Sequence, residues 1–199
     1  MRWFSKPAHK GGAQNFLRMI QTERLVLRVF DPTDALDVFA YAKNPKVAHM
    51  AGWPIHQSLE ESRAAVRHCI AQGETWAIVE KRSGRVIGSI GLHEDTLREI
   101  ENARKLVYAL GEDWWGYGYA TEAADAILRH AFQGMNCPIV GAYPFPQGDK
   151  AKQVLKKMGF TYEGELRMAC VLPDGSLMNQ LCYSLTREEY ENRKAKDIP

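Results

Sequence analysis

Between Arg104 and Gly134 the chain reads RKLVYALGEDWWGYGYATEAADAILRHAFQG, and within it Trp115, Gly116, Tyr117, Gly118, Tyr119 and Ala120 make a glycine-bearing loop. The first N–H groups of a helix lack intrahelical partners and its dipole presents partial positive charge there, so such a loop feeding a helix is suited to an anion. The same residues also fit a tight turn into a core helix. Two nucleotide motifs are excluded by inspection: no Lys followed by Ser or Thr comes after the glycines, and the third glycine of the dinucleotide fingerprint is absent. The chemistry on offer is recognition of a phosphorylated ligand by backbone groups.

The flanking elements must hold that loop in place. Leu106 to Leu110 is short and apolar, as a buried strand is, and apolar residues at Ala123, Ile127, Ala131 and at Ala124, Leu128, Phe132 repeat on one helical face. Thr121 and Glu122 stand where a cap and a first-turn acid belong, Asp125 and Arg129 form an outward pair, and Gly134 stands at a left-handed stop. Pro138 to Tyr143 is the next apolar run, so it and Leu106 to Leu110 should be parallel strands with a right-handed crossover.

Around this unit the punctuation predicts a sheet that is antiparallel at both ends. Glu23 to Phe30 alternates as a half-exposed strand; Asp31-Pro32 opens a helix to about Lys43, Asn44-Pro45 a shorter one, and Ser58 with Glu61 caps a third ending near Gly73. Thr75 to Lys81 and Arg85 to Leu92 make a hairpin through Ser83 and Gly84. Asp149 to Met158 is a helix stopped by Gly159, Thr161 to Leu172 and Leu177 to Leu185 a second hairpin, and Thr186 with Glu189 caps a last helix. The fold class is α/β (α+β), with a mixed, mostly antiparallel central sheet and helices on both faces.

A chain of 199 residues, 45% hydrophobic and 25% charged, suits one globular domain, here 22–199 behind a flexible extension, 1–21. A net charge of +2 gives no basic stripe for nucleic acid, and no apolar run is long enough for a membrane span, so neither partner is expected and a cytoplasmic location is. Cys69, Cys137, Cys170 and Cys182 lack CxxC spacing and the six histidines lack metal-ligand spacing, so reduced thiols and no metal are expected. Cys170 and Cys182 should lie on neighbouring strands, where they can be close.

The central stretch resembles motif A of the GNAT superfamily of N-acetyltransferases: Gly118 and Ala120 fill its last two positions, while Trp115 stands where the general pattern has Gln or Arg. An aromatic residue there, within YALGEDWWGYGYATEA, resembles the RimJ/RimL branch, the ribosomal-protein N-terminal acetyltransferases. VLKKMGF, at 154–160, is similar to the phrase that ends motif B. The likeness runs from about Thr22 to about Tyr190 and implies the GNAT fold.

It implies acetyl-CoA as co-substrate, its pyrophosphate held by backbone from Trp115 through Gly116, Tyr117, Gly118, Tyr119 and Ala120 to Thr121. The parallel strands would part beyond Leu110, letting the pantetheine arm pair with Val107, Tyr108, Ala109 and Leu110, with a peptide N–H near Tyr108 to Leu110 stabilising the oxyanion. The acceptor would be a primary amine, either a protein N-terminus of the ribosomal-protein type or a small amine, and the loop carrying Trp53 would border its site, unless Trp53 plugs a gap between helices. Glu94, with Asp95 and Glu112 as alternatives, is the general-base candidate. The usual motif B Asn and Ser fall at Gly148 and Ala151, and an acid at Lys105, which leaves Tyr143 as the replacement acid. Lys150, Lys152 and Lys156 are candidates to reach phosphates. The alternative implied by those departures is a catalytically weak acyl-CoA sensor or scaffold. A homodimer is permitted by the strand edges of the C-terminal hairpin.

Overall fold

The computed structural model describes residues 19–196; residues 1–18, most of the expected extension, lie outside the described residues. Ile20–Gln21 (β1) already belongs to the sheet, pairing with Leu25–Arg28 (β2). There follow helices Ala35–Ala42 (α1), Pro45–Ala51 (α2) and Leu59–Gln72 (α3), strands Thr75–Glu80 (β3), Val86–Glu94 (β4) and Arg104–Leu110 (β5), and helix Tyr119–Arg129 (α4). Ile139–Ala142 (β6), Asp149–Lys157 (α5), Thr161–Val171 (β7), Leu177–Thr186 (β8) and Arg187–Lys196 (α6) complete it. The strand order is β1-β2-β3-β4-β5-β6-β8-β7, antiparallel throughout except for β5 beside β6.

Local chemistry sets these boundaries. The Asp31 side chain accepts from the Thr33 amide and Asp34 returns a bond to the Asp31 amide, so the first helix opens as a 3₁₀ turn, Pro32–Asp34, before α1. Thr186 and Glu189 exchange the same reciprocal bonds at the start of α6, at 3.2 and 2.8 Å. The expected left-handed stop at Gly134 is displaced: α4 runs on into a π turn, His130–Gly134, and Asn136 takes the positive φ of 59°.

Strand alternation divides the core. Leu25, Leu27, Trp76, Ile78, Ile90 and Leu106 pack on one face against Ile127 and Leu128 of α4, and Ala77, Val79 and Val86 pack on the other against Val38, Val47 and Val66 of the first three helices. Each fully buried Leu or Ile contributes about 1.5–3 kcal/mol through removal from water. Cys170 and Cys182 do lie on adjoining strands, but two bulges in β7 set Cys170 opposite Met178 and Cys182 opposite Gly164, so they are not partners. Among the described residues no helix is long and apolar enough to cross a membrane.

Candidate active site

The loop after β5 begins with a 3₁₀ turn, Glu112–Trp114, and then passes Gly116 and Gly118 at φ 85° and 83°, values that only glycine adopts without strain. Gly118 is the N-cap of α4, three residues before the expected cap at Thr121, and no side chain caps the helix. The first bond of the helix runs from the Glu122 amide to the Gly118 carbonyl, so the amides of Tyr119, Ala120 and Thr121 have no intrahelical acceptor. A left-handed cap with unfilled amides is a geometry suited to an anion.

Beside it the sheet opens. β5 and β6 share only the rungs Arg104–Val140 and Lys105–Gly141, so they part after Lys105, five residues earlier than the expected separation beyond Leu110. The Gly111 amide bonds Ile87 on β4 at 2.9 Å, and backbone direction alternates along a strand, so the N–H groups of Tyr108 and Leu110 face the gap rather than β4. The Trp115 indole N–H covers the Leu110 carbonyl at 2.9 Å. β6 ends at Ala142, and Tyr143-Pro144 turns the chain away.

Gap and loop form one cavity of about 620 Å³. Val107, Tyr108, Ala109 and Leu110 line it, as do Trp115, Gly116, Gly118, Tyr119, Ala120, Thr121, Ala151 and Tyr143; Tyr117, Gly148, Lys152, Trp53 and Glu94 do not. Tyr117 projects outward, 65% exposed. Gly148 is the buried N-cap of α5. Lys152 is turned to its own loop, bonding Asp149 at 2.6 Å and the Pro146 carbonyl at 2.9 Å, whereas Lys150 holds its ammonium 4.2 Å above the Trp115 ring at the cavity wall. Lys156 is exposed outside the cavity. Trp53 packs near Tyr41 in the helical half of the core, ring centroids 6.4 Å apart, which is the gap-plugging position.

Of the carboxylates, Asp95 reaches the cavity. Glu94 is exposed at the end of β4, in register with Arg104, and alternation turns its neighbour Asp95 inward. Glu112 is engaged by Lys46 at 2.5 Å and Asn44 at 2.8 Å, and those bonds hold its pKa below the ordinary glutamate value. The Asp95 side chain is 0% exposed; it accepts the Tyr143 hydroxyl at 2.6 Å and the Leu97 amide at 3.1 Å. Arg98 Nε lies 3.3 Å from the same oxygen as Tyr143, near enough for an ion pair but without hydrogen-bond alignment, and its other end bonds Glu163 at 2.5 Å. Burial first, and the Asp95 bond second, push the Tyr143 pKa well above its ordinary value.

Gly141 makes room for this pair. A Cβ there would stand 2.5 Å from Asp95 Oδ2 and 2.6 Å from the Tyr143 oxygen. Gly141 sits on the last shared rung, so the Asp95–Tyr143 pair occupies the point where the strands separate. The sequence reading missed Gly141; a glycine inside an apolar strand was the available sign.

The family described as Acetyltransferase (GNAT) domain matches residues 24–161. A relative from Bacillus subtilis (strain 168), described as uncharacterized N-acetyltransferase YoaA, is 27% identical over 154 residues, covering 75% of this chain and 86% of its own. Among solved structures, an acetyltransferase (GNAT family) from Bacillus anthracis superposes with TM-score 0.77 at 21% identity, over 85% of this chain and 99% of that one. A structure described as ribosomal-protein-S5-alanine acetyltransferase from Vibrio fischeri superposes with TM-score 0.69 at 20% identity, over 86% of this chain and 98% of that one. Both structural likenesses are of fold.

Proposed function

Since the chain belongs to the GNAT acetyltransferase family and is an acetyl-CoA-dependent N-acetyltransferase, we propose that its acceptor is the α-amino group of a protein N-terminus or a small primary amine. The observation that carries the site assignment is the continuity of the uncapped helix start with the unpaired edge of β5 in one cavity. The amides of 119–121 suit a pyrophosphate, and the gap-facing groups of Tyr108 and Leu110 suit an extended amide chain. Bound acetyl-CoA supplies the acetyl thioester.

The protein's own groups then divide the work. An N–H of Tyr108 or Leu110 faces the place where a carbonyl oxygen gathers charge. The buried Asp95 carboxylate draws the acceptor ammonium in; as that cation docks, it competes for the carboxylate and frees the Tyr143 hydroxyl to donate elsewhere. The docked amine gives one proton to solvent, the neutral nitrogen forms the C–N bond as the C–S bond breaks, Tyr143 gives its hydroxyl proton to the departing thiolate, and the second proton of the nitrogen replaces it on Tyr143. An α-amine, at about 7.7–8.0, sheds its proton more readily than a lysine at about 10.4, which favours N-terminal acceptors. The phrase YALGEDWWGYGYATEA and the likeness to a ribosomal-protein acetyltransferase structure support the RimJ/RimL reading.

The test is thiol release from acetyl-CoA against small amines and peptides with Ala, Ser or Met N-termini, beside calorimetric titration with CoA. Binding with peptide-dependent release is expected. Binding without release across the panel would favour a sensor or scaffold, and no binding would sink the assignment of the 115–121 loop.

A further inference from the structure

The turn between β1 and β2 grips the start of α4. Arg24 donates from Nη1 to the Tyr117 carbonyl at 2.9 Å and from Nε to Glu122 at 2.7 Å, while its backbone amide bonds the other Glu122 oxygen at 2.8 Å. The Thr22 hydroxyl gives that oxygen a further bond at 2.5 Å. The guanidinium lies 4.5 Å over the Tyr119 ring, and its Nη2 is 3.5 Å from where a Gly118 Cβ would stand. The turn is itself anchored: Lys81 donates its backbone amide to the Arg24 carbonyl at 2.9 Å and its ammonium to the Thr22 carbonyl at 2.5 Å.

This grip answers an electrostatic conflict. Glu122 stands in the first turn of α4, within one turn of amides suited to a pyrophosphate, and an uncompensated carboxylate there repels the ligand. Its side chain is only 17% exposed, so water screens it little. Arg24 neutralises that charge, and by holding the Tyr117 carbonyl outward it fixes the peptide between the two left-handed glycines, which otherwise leave the loop many conformations.

We infer that Arg24 is a positioning residue of the anion loop, touching no ligand itself but keeping the Gly116–Thr121 amides aimed and the Glu122 carboxylate masked. The inference rests on the loop being the cofactor's phosphate site. It makes the Thr22–Arg24 turn and Glu122, which is distant from it in sequence, one unit with the loop.

The experiment is calorimetric titration with CoA, dephospho-CoA and pantetheine, for wild type, Arg24→Ala, Arg24→Lys and the double variant Arg24→Ala/Glu122→Gln, each held below its own melting temperature. Loss of charge-assisted bonds should weaken CoA binding by Arg24→Ala roughly ten- to a hundredfold. Dephospho-CoA should lose the same factor and pantetheine, which lacks the pyrophosphate, none. Arg24→Lys should fall between, and the double variant should recover part of the loss. Should Arg24→Ala not fold, Arg24→Lys carries the comparison. A lower melting temperature with unchanged CoA affinity would reduce Arg24 to a structural clamp and overturn the inference, as would a loss confined to CoA over dephospho-CoA, which would mean direct contact with the extra phosphate. Failure of wild type to bind CoA would instead overturn the cofactor site itself.

Discussion

The Tyr143 hydroxyl donates a 2.6 Å hydrogen bond to the wholly buried carboxylate of Asp95, across the rung at which two parallel strands part. Tyr143→Phe removes the proton donor and leaves a buried acceptor short of one bond. Turnover at saturating acetyl-CoA should fall roughly 10²–10⁴-fold, with CoA affinity unchanged. Because the Tyr143 pKa is raised, its hydroxyl stays protonated up to and beyond the ordinary tyrosine value, about 10. The wild-type rate should therefore climb as the acceptor amine deprotonates and hold level towards pH 10. An alkaline decline centred well below 10 would remove Tyr143 from the role.

Gly141→Ala tests the space rather than the chemistry. Its Cβ would stand 2.5 Å from Asp95 Oδ2, and the obstruction is a fixed carboxylate, not the tip of a mobile side chain. Overpacking of this kind costs about 1–3 kcal/mol, so the melting temperature should drop. Turnover of the folded variant should fall while CoA still binds. Normal activity would mean that the pair tolerates displacement.

Three carboxylates flank the region, and they should separate cleanly. Glu94→Gln and Glu112→Gln should each leave turnover within a few-fold of wild type, since one side chain is solvated outside the cavity and the other is held by Lys46 and Asn44. Asp95→Asn should raise the KM of the amine and lower kcat, with the KM of acetyl-CoA little changed. A severe defect in Glu94→Gln would transfer the acceptor-side role to that residue.

Asp125 should contribute to stability against acid. Burial pushes its pKa up, but Lys194, Arg193 and Arg129 outweigh that and hold it below the ordinary aspartate value. A lowered native pKa gives stability that is complete above the unfolded value, about 3.9, and is lost as pH falls through the native one. Asp125→Asn should cost about 1–3 kcal/mol at pH 7 and flatten the decline in melting temperature below pH 4. Equal acid sensitivity in both proteins would show that other carboxylates control it.

Most of the strands and helices, and the glycine loop that enters α4, were legible because period, capping pairs and Gly or Pro punctuation act over a few residues; β1 fell inside the expected extension because a two-residue strand carries no period. Where β5 leaves β6 was not legible, because the last shared rung, Lys105–Gly141, is a pairing between segments distant in sequence. Glu94 and Asp95 show the same limit at its smallest scale: adjacent residues on a strand point to opposite sides, so choosing between them needs a register that no local pattern states. Trp53 reads equally as pocket wall or helix plug until Tyr41 is placed beside it. Arg24 looked like one charge in an alternating strand because Glu122 is distant in sequence.

The early parting of β5 from β6 also leaves a mark on solvent exchange. Along one strand, the amides of Val107 and Ala109 are committed to β4, while those of Tyr108 and Leu110 have no strand to bond. Deuterium should enter β5 at every second residue, a periodic leak in the middle of an eight-stranded sheet. Adding CoA should close it, so that a pair of amide signals reports, without any acceptor or turnover, whether the sheet has been completed by its ligand.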